Sequence, residues 1–143
     1  MSSVLLLSCY ELGHQPVGLA WPLAVLAEAG IAATAVDLSV TPFPQSAARE
    51  AAFVGISVPM HTALRLGVQA ARRVRQANPN AHICFFGLYA WLNRAYLLAE
   101  IADSVLAGEI EKPLVTWITA VLRGETETAV PGVTTRHHTT PPY

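Results

Sequence analysis

Apolar residues fall along this chain in short unbroken blocks, separated by stretches in which they recur every three or four positions. The blocks at residues 4–9, 53–58 and 82–86 are too continuous for strands with one wet face. They suit strands covered on both sides, the usual state in a parallel sheet. Residues 31–38, ending near Asp37, and the shorter 104–107 complete a set of five predicted strands.

Between the strands the period changes to that of a helix. In residues 18–29, Leu19, Leu23 and Leu26 share a face, with Pro22 read into the first turn and Gly30 as the stop. Residues 46–52, after the two prolines of 41–45, allow only a short helix. The clearest helix is 62–77: Leu64, Val68, Ala71 and Val74 lie on one face, with Arg65, Gln69, Arg72 and Arg73 opposite. Asn78, Pro79 and Asn80 end it. Residues 87–91 read as a loop and 92–102 as the next helix. In a last helix Pro113 suits the first turn and Leu114, Trp117, Ile118 and Val121 form the apolar face.

Five βα units in succession imply an α/β fold: a Rossmann-like or flavodoxin-like, doubly wound, five-stranded parallel sheet with helices on both faces. The fifth strand is placed nearer an edge. After Gly124, Thr, Pro and His replace any periodic pattern, so residues 1–123 are expected to form the domain and 124–143 a linker or flexible tail.

Ligands of open α/β sheets sit beyond the carboxyl ends of the strands. The loops there span 10–17, 37–44, 57–61, 87–91 and 108–111. Ser57, Pro59, Met60 and His61 therefore stand where function is expected, and each also has a structural reading. Ser57 satisfies local backbone groups or holds a ligand. His61 interacts with a helix start or faces the site. Gly87 permits a tight turn or a close approach by a ligand. Tyr89 and Trp91 pack the rim or stack on a flat ligand. Glu109 and Glu111 favour a helix amino terminus. His14 and His61 come near each other if the first and third strands are neighbours, but no third ligand completes a metal site.

Composition narrows the classes. A formal net charge of −1 gives no footprint for nucleic acid, and Arg72, Arg73 and Arg75 fit a solvated helix face. Hydrophobic residues reach 52%, yet no apolar run approaches the roughly 18 residues of a membrane span. Leu6-Leu7-Ser8-Cys9 lacks the charged segment and long apolar run of a lipoprotein signal. Two cysteines, Cys9 and Cys84, both in expected strands, imply reduced thiols in a cytoplasmic protein. Dinucleotide, nucleoside-triphosphate and serine-hydrolase motifs are missing, so the chain offers no catalytic centre of its own.

The order of these features resembles the cobalamin (B12)-binding domain at the amino end of B12-dependent radical SAM enzymes. The matching pieces are a first helix ending at Ala29-Gly30, a strand ending at Asp37, and Val54-Gly55-Ile56-Ser57. They continue with Asn78-Pro79, Gly87, Ala102-Asp103-Ser104-Val105, and Gly108-Glu109-Ile110-Glu111 before Pro113-Leu114, close to the family's G-E-G-E-x-P-L. The similarity covers roughly residues 3–122.

The resemblance implies cobalamin across the strand ends, its nucleotide tail entering the sheet side. Ser57 matches the serine near the tail, and Gly87 the first of a Gly-Gly pair whose second member is here Leu88. Pro59 stands where other cobalamin domains often carry leucine. The D-x-H-x-x-G motif with its cobalt-ligating histidine is absent, since His14 has no aspartate two positions before it. Base-off cobalamin without histidine ligation is the implied state, with Tyr10, Glu11, His14 and His61 near the lower face. Val58, Leu88, Tyr89, Gly108 and Glu109 complete the expected cofactor-binding set.

Two cysteines cannot build the three-cysteine iron–sulfur motif, so the chain is expected to hold no cluster and to depend on a radical SAM catalytic domain as partner. Residues 131–136 look like a connector to such a domain. An interaction or regulatory domain that has lost the cofactor is the alternative. A flavin-binding domain is a weaker one, lacking a phosphate loop after the first strand.

Overall fold

Five strands run parallel in the computed structural model, which describes residues 3–10 and 17–143. They are β1 (Val4–Ser8), β2 (Thr34–Asp37), β3 (Phe53–Ser57), β4 (His82–Phe86) and β5 (Ser104–Leu106), in the spatial order β2-β1-β3-β4-β5. Every residue of β1 and β3 is buried. That burial explains the unbroken apolar runs, since alternate side chains enter opposite cores and both must be dry.

The connecting helices are α1 (Val17–Glu28), α2 (Gln45–Glu50), α3 (His61–Ala77), α4 (Leu88–Leu92), α5 (Arg94–Glu100) and α6 (Glu111–Leu122). One sheet face carries Leu5, Leu7, Val54, Ile56, Ile83, Phe85 and Val105 into a core with α2, α3, α4 and α5. The opposite face carries Val4, Leu6, Phe53, Cys84, Phe86 and Leu106 against Leu19 and Leu26 of α1 and Leu114, Trp117 and Ile118 of α6. Each fully buried Leu, Ile or Phe contributes about 1.5–3 kcal/mol by leaving water. Asn78, at the end of α3, donates through Nδ2 to the carbonyls of Ala48 and Ala51, tying that helix end to the end of α2.

The structure differs from the sequence expectation in four places. Pro22 lies inside α1, beyond its first turn, with its ring buried. The fourth crossover is two short helices broken at Asn93, so Tyr89 and Trp91 belong to α4 rather than to a loop. The Asn93 side chain donates to the Tyr89 carbonyl at 2.8 Å, a side-chain bond of the kind that competes with a continuing helix. Residues 124–143, read as a linker or tail, contain a sixth strand, β6 (Val133–Thr135). It pairs antiparallel with β5, so the sheet has six strands and not five, with β5 one strand in from that edge, and Val130, Val133 and Thr134 are buried.

Candidate functional site

The strand register aligns the carboxyl ends in one row: Asp37 beside Ser8, Ser8 beside Ser57, Ser57 beside Phe86, and Phe86 beside Leu106. Aligned residues project to the same face. Ser57 and Phe86 therefore turn toward the α1–α6 layer, where a cleft of about 420 Å³ opens. Its walls are Val17, Gly18, Trp21 and Pro22 from α1, Ser57 and Pro59 after β3, Phe86, Gly87 and Leu88 after β4, and Gly108 and Ile110 before α6. The volume suits a small organic ligand, and the lining is chiefly apolar, with the Ser57 hydroxyl and the Trp21 indole N–H as its polar side-chain groups.

Backbone geometry shapes this cleft at two glycines. Gly87 has φ of 109°, and a Cβ there would lie 2.7 Å from the Val58 carbonyl oxygen. Val58 is held from both sides, its N–H donating to the Phe86 carbonyl at 2.7 Å and its carbonyl accepting from Tyr89 N–H at 3.2 Å. Gly108 has φ of 85°, and a Cβ there would strike the backbone of Tyr143. Tyr143 donates its N–H to the Ala107 carbonyl and accepts from Glu109 N–H, so the end of the chain buttresses the β5–α6 turn.

Trp21 is 54% exposed although it is among the largest side chains of the protein. Its indole N–H donates to Glu111 Oε1 at 2.7 Å, linking α1 to α6 across the cleft. Glu111 opens α6, and its own backbone N–H, with the indole N–H second, holds its carboxyl below the usual carboxylate range. Anionic charge at that helix end is favoured.

Of the residues expected to bind cofactor, Ser57, Pro59, Gly87, Leu88 and Gly108 come together in the cleft. Val58 is buried behind them, and Glu109 is exposed on the adjoining turn. His61, the first residue of α3, and Tyr89 lie outside it, their rings 6.3 Å apart. Tyr10 lines a different hollow of about 400 Å³ with Cys9, Phe43 and Arg73. Glu11 and His14 fall outside the described residues. Sequence reasoning missed Val17, Trp21, Pro22, Phe86 and Ile110. Val17 and Trp21 lie one turn apart on the exposed side of α1, which its nearly all-apolar sequence does not reveal.

No family model matches this chain, and neither does any curated protein. Among solved structures it is similar to the radical S-adenosylmethionine methyltransferase TsrM from Kitasatospora setae, solved with cobalamin and a [4Fe-4S] cluster bound. The TM-score is 0.74 at 18% identity, over 93% of this chain. The two share a fold. A second TsrM structure, with tryptophan substrate and a SAM analogue bound, gives a TM-score of 0.75 at 17% identity over 92% of this chain. This chain spans only 29% and 28% of those TsrM chains. The Rossmann-like architecture expected from the sequence is thus met, and the neighbour comes from the kind of enzyme that the sequence resembles.

Among the described residues no group of three or more His, Cys, Asp and Glu is placed to hold a metal ion, and no helix is long and apolar enough to cross a membrane. Burial pushes the Cys9 thiol up to about 11, with Asp37 adding to the effect, and burial pushes Cys84 up to about 12. Neither thiol supplies a thiolate nucleophile near neutral pH.

Proposed function

We propose that this chain is a cobalamin-binding domain, part of or related to a B12-dependent radical SAM enzyme, and that it holds base-off cobalamin at the carboxyl ends of its strands. The observation that carries this reading is the cleft between α1, α6 and the ends of β3 and β4, in a fold shared with a protein solved with cobalamin bound. Its residues fit the group. Ser57 offers a hydroxyl at the floor, Gly87 brings backbone to the wall, and Trp21, Pro22, Pro59 and Ile110 enclose a flat apolar moiety such as a benzimidazole. The exposed Leu88 at the mouth shields that moiety from water.

Cobalamin supplies a cobalt centre able to carry a methyl group, and the protein's part is to bind and orient it. Tyr10, Val58, His61, Tyr89 and Glu109, on the strand-end rim beside the cleft, would border the corrin, and Glu11 and His14 belong to the same expected set. With two buried cysteines and no cluster motif, this chain leaves radical chemistry to a radical SAM domain of the longer protein. Residues 124–143 fold back on this chain's own domain, through β6 beside β5 and through Tyr143 at the β5–α6 turn. The unpaired thiols fit a reducing, cytoplasmic setting.

Mixed with hydroxocobalamin and passed through gel filtration, the purified protein is expected to carry the corrinoid in its own peak with an altered cobalt spectrum. Free elution of cobalamin with an unchanged spectrum contradicts the reading. That result instead favours an interaction domain without cofactor, for which Leu88, standing where relatives of the family carry glycine, is the specific argument.

A further inference from the structure

We infer that Trp21, fixed by Glu111, is the specificity-determining platform of the cleft, selecting corrinoids that carry a planar heteroaromatic base over those that do not. The inference rests on the cobalamin reading and adds to it a residue and a basis for choice.

A tryptophan on the outer face of a helix normally packs down or points away. Here a single hydrogen bond of 2.7 Å from the indole N–H to Glu111 Oε1 spans 90 positions of sequence and sets the ring on the cleft wall. The bond uses the only polar atom of the indole, so the ring's flat surface has no competing polar demand. Pro22, Leu88 and Ile110 line the same cleft, so the slot has aromatic and aliphatic walls. Such a slot rewards a flat, weakly polar ring through stacking, and offers nothing to a ligand that ends in an alkanol. Glu111 also carries its charge at the start of α6, where the helix dipole and its own backbone N–H keep it an anionic acceptor. Glu111 is therefore a carboxylate acceptor for the indole N–H across the neutral range.

A structural tie between α1 and α6 is the competing explanation, and the two differ in what they do to ligand choice. Equilibrium titrations with cobalamin and with cobinamide, which lacks the nucleotide base, separate them. Wild-type protein is expected to bind cobalamin about 10-fold or more tightly than cobinamide. Trp21→Ala is expected to weaken cobalamin by about 10-fold and leave cobinamide unchanged, whereas Trp21→Phe, which keeps an aromatic face but loses the bond to Glu111, retains only part of the preference. Glu111→Gln, which keeps an acceptor oxygen, is expected to stay near wild type, and Glu111→Ala to fall between. Equal weakening of both corrinoids by Trp21→Ala, or no weakening of either, overturns the platform while the cobalamin reading stands. Wild-type protein that binds neither corrinoid overturns both.

Discussion

Gly87→Ala is expected to lower folding stability by about 2–4 kcal/mol and to abolish retention of cobalamin. The backbone at this position, φ 109° and ψ 171°, lies in a region open essentially to glycine alone. The new methyl group also meets backbone, 2.7 Å from the Val58 carbonyl oxygen and 2.9 Å from its carbon, and not the yielding tip of a side chain. Relief requires the β4–α4 turn to move away from the end of β3. That movement breaks the bond from Tyr89 N–H to the Val58 carbonyl and displaces the cleft wall between Phe86 and Leu88. Urea unfolding and gel filtration with hydroxocobalamin measure the two effects. A variant with an unchanged unfolding midpoint contradicts the strain argument.

That glycine was legible in the sequence because it follows a buried apolar run directly, where a chain leaving a parallel strand must turn. The five parallel strands were legible for a related reason, since burial on both faces leaves an unbroken apolar signature. Strand β6 was not. Its pairing with β5 lies across the whole of α6, and Val133, Thr134 and Thr135 carry too little alternation to mark a strand without that partner. The break at Asn93 was hidden by the helical periodicity on either side of it, because a side chain bonding back to Tyr89 leaves no mark in the apolar pattern.

Trp21 was hidden more deeply. Helix α1 is apolar around most of its circumference, so periodicity could not say which side faces the sheet. Its burial falls on Leu19, Pro22 and Leu26. The partner that gives Trp21 its orientation, Glu111, comes from the opposite end of the chain. Sequence reasoning sought a stacking aromatic at Tyr89 and Trp91. In the structure Trp91 is covered by the Arg94 guanidinium, 3.9 Å from its ring centroid.

The second large effect concerns acid stability, at the end of the sheet away from the cleft. Burial pushes the His82 imidazole down to about 4, with Asp103 opposing the shift and Arg75 adding to it. The ring stacks on Phe53, meets Trp117 edge-on, and lies 2.8 Å from Ser104 Oγ. Trp117 Nε1–H donates to that same hydroxyl, which leaves the hydroxyl proton for a neutral His82 Nε2. Asp103 is itself engaged by Arg75 at 2.8 Å and faces Arg136 at 3.8 Å. In the unfolded chain His82 returns to about 6.5, so between pH 6.5 and 4 the unfolded state takes up a proton that the folded state refuses. Stability falls with pH across that window, by up to about 3 kcal/mol. His82→Gln keeps a hydrogen-bonding group toward Ser104 but removes the titration. Its stability is expected to decline less steeply than wild type over the same window in urea unfolding. Parallel profiles contradict this assignment.

The central claim is that the corrinoid lodges at the carboxyl rim with its base in the cleft between α1 and α6, and amide hydrogen exchange with and without hydroxocobalamin tests it most directly. Slowed exchange is expected in residues 17–22, 86–88 and 108–111, with none at residues 78–82 or 103. Protection at that opposite end of the sheet, or exchange unchanged throughout by saturating cobalamin, contradicts it.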